Sequence, residues 1–574
     1  MYANEIYVTL DDPLNKEEVL DHFNKTFDFA KSQMGSAQEI ALRLTPLKEV
    51  YYTHDTTFDF NPKGHRETNY VLLGIAFLIL FIAGINFTNL TTSLIPLRLK
   101  TINTHRVLGC SIYKLQAISL IESIVICLIS YILALFIVND LSYTPIANWV
   151  DADIRLSQYK GLILLTALIA ILTGCLAGLY PAIRSTSYAP ALVLKGSFGL
   201  SPKGKKVRVA LIGFQYTVSI ALIIVTLFMG LQNHFMTSSE QLGFNKDQVA
   251  IVNLTPEIYA KHKPQYIQKL KDYPGIEDVA FSVYELSKED DMIDLEYARH
   301  EDKDVFFKVF YASENFLSVM DIQVEEGRDF TREDLNKAQS DYIINPAAER
   351  DFHLHPGDRF NDRTVLGVSK DFRFNSCRIA SSPFVFALNN DIPNPKLVSY
   401  IRFNSKTNLQ EAVAHVRETL KEIDPTFPFE ISFYNTILNN LYQKEQTLGK
   451  LISLFGIMAI LISIVGVFGL VLFETQYRRK EIGIRKINGA TTGQILLMFN
   501  KTYIRIVSVC FIISIPIAWM GTQQWLENFA YKTPLHLWVF IVAFLIILSV
   551  TIGTVTFRNW QAANENPVNS VKSE

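Results

Sequence analysis

The chain has 574 residues, 49% of them hydrophobic and 19% charged, with a formal net charge of −2. Apolar residues this abundant and this clustered exclude an ordinary soluble protein, and the near-neutral balance removes any global signal for nucleic acid. Of the five cysteines, Cys110, Cys127, Cys175 and Cys510 lie in or beside apolar runs, while Cys377 stands alone in the longest polar segment. Neither a disulfide framework nor a Cys/His metal motif is therefore expected.

In chain order, Met1–Glu5 has neither the basic start nor the apolar stretch of a signal peptide. Glu5–Leu10, Asn15–Lys31 and Glu39–Leu47 read as strand, helix and strand. Crossing a bilayer takes about 20 apolar residues. Roughly seven runs qualify: Tyr70–Leu97, Leu115–Val138, Gly161–Ile183, Val209–Gln232, Leu451–Phe473, Ile506–Trp525 and Leu535–Phe557. Only the second holds a formal charge, Glu122, read as pairing with a base such as Arg106, as transmitting motion at a helix interface, or as snorkelling to the surface. Basic residues concentrate in three places: Arg98–Lys114, Arg184–Arg208 and Arg478–Lys486. The positive-inside rule makes these cytoplasmic, which puts 1–69, 139–160 and 233–447 outside and 558–574 inside.

The long segment 233–447 reads as α/β. Strands are expected at Gln248–Leu254, Asp278–Tyr284, Val305–Tyr311, Asp341–Ile344, Thr364–Val368, Phe384–Leu388, Lys396–Phe403 and Phe429–Phe433. Helices are expected at Pro256–Tyr273, Pro346–Phe352 and Asn408–Ile423. Apolar residues then recur at three- and four-residue steps through Tyr434, Ile437, Leu441 and Leu448, which predicts a rigid stalk, 434–450, continuous with the next span.

The chain repeats one plan. Gly109 and Gly489 are 380 residues apart and Pro190 and Pro567 are 377 apart, each pair at matching points of a span, basic block, span, outside loop, span and tail. The second copy is preceded by a span and about 160 further outside residues that the first lacks. The chain is thus expected to lack one span and most of a first outside domain at its beginning. A short basic helix hung twice between spans is a handle on which a soluble partner can pull.

Some residue patterns imitate chemistry. Gly199–Lys206 nearly spells a phosphate-binding loop, but no Ser or Thr follows Lys205 and no strand precedes it. His353 and His355 alternate in a polar loop and are expected to face solvent; no metal site is assigned. Asp290, Asp291 and Asp294 read as a solvated acidic loop. No Ser/His/Asp set has a context for catalysis.

The block Arg478-Arg479-Lys480-Glu481-Ile482-Gly483-Ile484-Arg485-Lys486-Ile487-Asn488-Gly489-Ala490 resembles the motif of FtsX-like permeases of ABC transporters, especially the two-repeat, MacB-like members with large periplasmic domains. Ile487, where that family usually has Ala, departs from it. Ile85–Leu90, Leu242–Asp247, Gly367–Phe372 and Gly178–Ala182 also match. The resemblance implies an α-helical membrane protein of about seven spans in two repeats, with an α/β extracytoplasmic domain and a stalk helix. The domains would be a periplasmic remnant (1–69), a first three-span unit (70–196), a basic linker with a fourth span (197–232), a MacB-like domain (233–447) and a second three-span unit (448–574).

The resemblance also implies that Arg479, Lys480, Glu481, Ile482, Gly483, Ile484, Arg485 and Gly489 form a coupling helix resting on a cytoplasmic ABC ATPase. Arg106 and Gly109 belong to its weaker copy, in which Thr101 and His105 stand at the places of Glu481 and Arg485. The expected protein is a non-enzymatic permease subunit in the bacterial inner membrane. It binds no cofactor itself, ATP and Mg²⁺ being used by the partner. It would form a homodimer or pseudo-symmetric dimer, work with a periplasmic adaptor or outer-membrane partner, and drive export of peptide, toxin or lipoprotein. Regulation of a cell-wall hydrolase and peptide sensing are the alternatives.

Overall fold

The computed structural model describes residues 7–11, 15–26, 44–52, 64, 66–149, 155–187, 202–287, 294–301, 303–337, 339–388 and 397–564. The chain divides into two compact units, Met1–Phe77 and Leu78–Glu574. In the first, helix α1 (Lys16–Thr26) carries Glu17 and Glu18 in its first turn and Lys25 in its last, the polarity that suits the helix dipole. The strands expected on either side are not found where they can be checked. Tyr7–Leu10 and Leu44–Pro46 take no regular structure, and the rest of both segments lies outside the described residues.

Seven helices are long and apolar enough to cross a membrane. They lie in α2 (Arg66–Val107), α3 (Ile112–Leu141), α4 (Lys160–Thr186), α5 (Pro202–Thr237) and three helices near the C-terminus. Between these groups come the sheet domain and its covering helices, α6 (Lys263–Lys271) and α7 (Leu409–Ile423). A short helix α8 (Tyr434–Leu441) leads into α9 (Gln443–Tyr477), and α10 (Arg479–Ile487) is the basic block. The last two spans lie in α11 (Thr492–Leu526) and α12 (Leu537–Ala563).

Helices α5, α9, α11 and α12 pack as a four-helix bundle around Tyr216, Ile220, Phe228, Val471, Phe499 and Val555. On α11 the buried stripe Ile495, Phe499, Tyr503, Val507 and Cys510 follows the three- and four-residue step of a helix face. Its first turn is fixed by a capping box, in which Thr491 and Gln494 each bond the other's backbone N–H. Helix α5 is the most enclosed span, with 56% of its apolar window buried, and α3 the least, with 6%. Thus α5 is a core helix, while α3 presents apolar surface outward.

In the first three-span group, α3 and α4 approach closely because Gly178 has no side chain. A Cβ there would lie 2.5 Å from that of Ser123. Helix α2 joins this pair through Thr88, whose hydroxyl donates to Ala177 O at 2.8 Å. It meets α9 through Asn86, whose amide donates to Ile462 O at 2.6 Å.

The sheet has the order β11-β1-β10-β2-β4-β9-β6-β8-β5. Its strands are β1 (Val249–Leu254), β2 (Ile276–Ser282), β3 (Asp294–His300), β4 (Lys303–Ala312), β5 (Val324–Gly327), β6 (Tyr342–Ile344), β7 (Arg359–Phe360), β8 (Arg363–Ser369), β9 (Phe384–Leu388), β10 (Leu397–Phe403) and β11 (Ile431–Phe433). β3 pairs with β4, and β7 with β8, off the main path. The β4–β9 and β6–β8 pairs are parallel and the others antiparallel. Alternation along β10 builds two cores. Leu397, Ile401 and Phe403 face α6 and α7, and Val398 and Tyr400 face the stalk and membrane helices.

Three expectations are corrected here. Asp294 is the first residue of β3 and not part of a loop, while Asp290 and Asp291 lie outside the described residues. The helix expected from Pro256 to Tyr273 is a π-helical turn at Ile258–His262 followed by α6. The stalk is not one helix: it bends at Tyr442, between α8 and α9. The bend keeps its hydrogen bonds, Tyr442 N to Leu438 O at 3.3 Å and Gln446 N to Tyr442 O at 3.0 Å. From Gln443 the helix does run on into the span.

Candidate functional site

The block after α9 begins with a turn at Arg478 (φ −94°, ψ 9°), and α10 ends at Ile487. Gly489 then takes φ +86°, a left-handed conformation that costs glycine little. Its N–H donates to Lys486 O and that of Ala490 to Arg485 O, the pair of bonds that closes a Schellman motif. The earlier block ends identically 380 residues before. Gly109 has φ +91°, its N–H donates to Arg106 O, and that of Cys110 donates to His105 O. The next helices also start alike, Ser111 accepting from Lys114 N and Thr491 from Gln494 N.

Within α10, Glu481 and Arg485 pair at 2.7 Å, one turn apart and both largely solvated. Such a pair contributes little to stability, about 0.3–0.5 kcal/mol, so it serves the surface more than the fold. The two isoleucines divide their work. Ile482 is buried against the four-helix bundle, and Ile484 and Ile487 are 55% and 66% exposed. Gly483 is buried and Lys486 half-buried. Arg479 and Lys480 are helical in backbone, and their side chains lie outside the described ones.

The first block differs in its side chains. Thr101 and His105 are exposed and form no match to the Glu481–Arg485 pair. Arg106 donates to Thr186 O at 3.2 Å, and Val107, Leu108 and Tyr113 are exposed. Glu122 is gripped bidentately by Arg98, at 2.7 and 2.8 Å, and not by Arg106 as expected. Arg478 occupies the place of Arg98 in the second copy, yet it pairs with Glu474 on its own helix at 3.0 Å. Tyr503 donates to the same carboxylate at 3.3 Å. Glu474 was missed in the sequence because it sits at the very end of an apolar run.

At the other end of α9, the stalk residues are built into the sheet domain. Tyr434 is fully buried and bonds Ser287 at 2.6 Å, and Ile437 and Leu441 pack on the same apolar cluster. That cluster runs from Phe310, Phe386 and Tyr400 through Tyr434 and Leu438 to Met236 and Phe529, at the ends of the membrane helices. Leu448, farther along, is half-buried.

A loop of the sheet domain, Asp371–Ser381, is held from three sides. From the stalk, Tyr442 Oη accepts from Cys377 N at 3.2 Å, and buried Glu445 accepts from Arg378 at 2.7 Å. From the α11–α12 loop, Tyr531 N donates to Cys377 O at 3.1 Å, and Arg373 lies 4.1 Å from the Tyr531 ring centre. From α5, Gln232 donates to Tyr531 O at 3.0 Å, and Phe235 lies under Arg373. Burial pushes the Cys377 thiol up, away from the reactive thiolate. This joint had no sequence signal, since its partners are 65 to 150 residues apart.

The quoted motifs sit at contacts. Gly243, at φ +76°, lets Asp371 O approach to 2.1 Å of where a Cβ would be, so Leu242–Asp247 and Gly367–Phe372 meet. Arg373 N donates to Leu242 O at 2.8 Å across the same junction. Gly466 is met by Asn86 at a distance of 2.2 Å from a hypothetical Cβ, and those two positions are themselves 380 apart.

Two stretches, 73–190 and 453–567, match the family model described as the FtsX-like permease C-terminal domain. Their starts are 380 residues apart and their ends, at Pro190 and Pro567, 377 apart, the offsets of the internal repeat. The chain carries two FtsX-like permease domains. The chain is also similar to the macrolide export ATP-binding/permease protein MacB of Aggregatibacter actinomycetemcomitans, at 25% identity over 212 residues, covering 35% of this chain and 32% of that protein. For MacB of Neisseria gonorrhoeae the identity is 25% over 223 residues, covering 36% and 34%. This FtsX-like chain therefore spans about a third of the length of the curated relatives it matches. Among solved structures it is similar to the periplasmic region of MacB from Actinobacillus actinomycetemcomitans, with TM-score 0.26, 14% identity and coverage of 35% and 94%. It is similar too to the extracellular domain of the noncanonic ABC-type transporter YknZ from Gram-positive bacteria, with TM-score 0.24, 15% identity and coverage of 32% and 99%.

Proposed function

We propose that this FtsX-like chain is the membrane subunit of an ABC-type machine, and that separate cytoplasmic ATPases push on its two glycine-terminated basic helices. The observation that carries the reading is the repetition of that helix ending, bond for bond, at 98–110 and 478–490. Contacts between α2 and α9 advance in the same direction, Asn86 with Ile462 and Gly466, then Leu90 with Gly469. The two helices thus run parallel, and both blocks emerge at one end. The positive-inside rule makes that end cytoplasmic and the sheet domain periplasmic, in a bacterial inner membrane.

ATP and Mg²⁺ are consumed by the partner. Its closure tilts α9, and the tilt passes to the sheet domain through the stalk and the 371–381 joint. Cargo such as a peptide, toxin or lipoprotein is handled outside the bilayer, in concert with a periplasmic adaptor or outer-membrane partner. The spans suit this role: their charged groups are few, and those of Glu122 and Glu474 are paired, which is poor lining for a polar pore.

The test is co-purification of the full chain with its ATPase, comparing intact protein with the Glu481→Lys, Arg485→Glu double variant. Loss of ATPase recovery and of stimulated ATP hydrolysis, at least tenfold, is expected. Unchanged recovery and hydrolysis would remove the coupling role from α10.

A further inference from the structure

Apart from the basic blocks, the domain holds a mixed cluster of side chains suited to a metal. The ligand atoms of Glu326, Glu349 and His355 all lie within 4.8 Å of one another, and His355 Nδ1 is 3.5 Å from Glu349 Oε1. Each comes from a different element: Glu326 from edge strand β5, Glu349 from the helix Pro346–Phe352, His355 from the loop that follows. The backbone fixes all three in advance. β5 is hydrogen-bonded to β8, and the helix is capped by Asn345, which accepts from Ala348 N. His355 N donates to Asp358 at 2.8 Å, and Gly357 N donates to Val365 O of β8.

Charge singles this cluster out. Other carboxylates of the domain have a cation: Asp334 has Arg328, Asp278 has Lys271 and Glu445 has Arg378. Among the described residues, neither Glu326 nor Glu349 has a lysine or arginine partner. Two carboxylates converging on an imidazole repel one another until a cation sits between them. One imidazole and two carboxylates are the donor set of zinc and its first-row neighbours, and the nitrogen ligand disfavours calcium and magnesium. His353 is excluded, since it takes the left-handed cap of the helix at φ 54° and is not among the three converging groups.

We propose that Glu326, Glu349 and His355 bind a divalent transition ion of the zinc class, tying the sheet's β5 edge to the helix Pro346–Phe352 and the loop behind it. This departs from the sequence reading, in which the two alternating histidines were solvent-facing and without a metal. It does not depend on the coupling role of α10.

The test uses the full chain in detergent, stripped with chelator and titrated with Zn²⁺ and Co²⁺. Bound equivalents are counted after gel filtration, and the visible Co²⁺ bands are read alongside. The chain has 11 histidines and five cysteines, so the informative quantity is the difference between variants. Intact protein should hold one equivalent more than His355→Ala. Glu326→Gln and Glu349→Gln should each weaken binding at least tenfold, and His353→Ala should leave it unchanged. All four changes are at the surface, so monodispersity on the column confirms that the variants fold. Equal equivalents in intact protein and His355→Ala overturn the proposal. Wild-type affinity in Glu326→Gln overturns the three-ligand assignment, and Ca²⁺ binding as tight as Zn²⁺ overturns the choice of ion.

Discussion

Arg98 and Arg478 show how one repeated position serves two local chemistries. Each ends a first span and each neutralises a carboxylate, but Arg98 reaches across to Glu122 on α3, whereas Arg478 turns back to Glu474 on α9. The choice was invisible in the sequence, because Arg98, Lys100, Arg106 and Lys114 were equally near Glu122 along the chain and only packing of α2 on α3 selects among them. In the sheet domain, Asp334 gives the sharpest electrostatic test. Arg328 grips it bidentately at 2.7 and 2.8 Å, Thr331 donates twice and Lys337 once. Arg328, followed by the Thr331 bonds, holds its carboxyl well below the usual carboxylate range. A depressed folded-state value stabilises the fold at pH above about 4, where the unfolded carboxyl is ionised, and that stability drains away as pH falls toward the folded value. Asp334→Asn should therefore cost about 1–2 kcal/mol at pH 7, after allowing for the half-exposed arginine. In thermal melts of the full chain the gap between variant and wild type should narrow steadily below about pH 4. A gap independent of pH would mean that packing, not charge, anchors the 328–337 segment.

The long helices were the legible elements. Apolar runs beyond about 18 residues mark spans by length alone, and all seven found in the sequence are helices of the structure. Strands rich in aromatic and β-branched residues, such as Phe384–Leu388, were equally plain. What escaped was β3, whose Asp294, Glu296, Arg299 and His300 look like a polar loop, and β5, whose Glu325 and Glu326 sit at the sheet edge. The bend at Tyr442 escaped for another reason: heptad-like spacing continues straight through it. The ring is instead buried against Cys377, 65 residues earlier in the chain. Within the candidate site, the basic block and its glycine were readable from local spacing, whereas the 371–381 joint is built wholly from distant partners. That joint predicts a graded series. Tyr442→Phe strands the Cys377 N–H, at about 1–2 kcal/mol. Arg378→Ala leaves buried Glu445 without its cation and should cost more, about 2–4 kcal/mol. Hydrogen exchange should then quicken in 371–381 while α11 and α12 stay protected. Uniform loss of protection through the bundle would mean that the loop is part of the membrane core and not a joint.

The two FtsX-like domains share one chain, and their contact carries a symmetry argument about the whole molecule. In a two-fold pair, equivalent residues meet across the axis. Here Asn86 meets Gly466, its equivalent at an offset of 380, and α2 runs parallel to α9 at that point. The surface that two identical subunits would use to pair is therefore already filled from within, so one copy of this chain should offer both docking helices to a pair of ATPases. Native mass spectrometry of the detergent-purified complex should find one chain with two ATPase copies. A species with two of each would refute internal pairing while leaving the coupling role intact, and a chain with no ATPase would refute the coupling itself. Internal pairing also frees the two blocks to diverge, and they have. The Glu481–Arg485 pair has only Thr101 and His105 as its counterpart. Charge reversal in the second block should thus release more ATPase than Arg106→Glu in the first, because only the second block presents a matched pair of opposite charges to its partner.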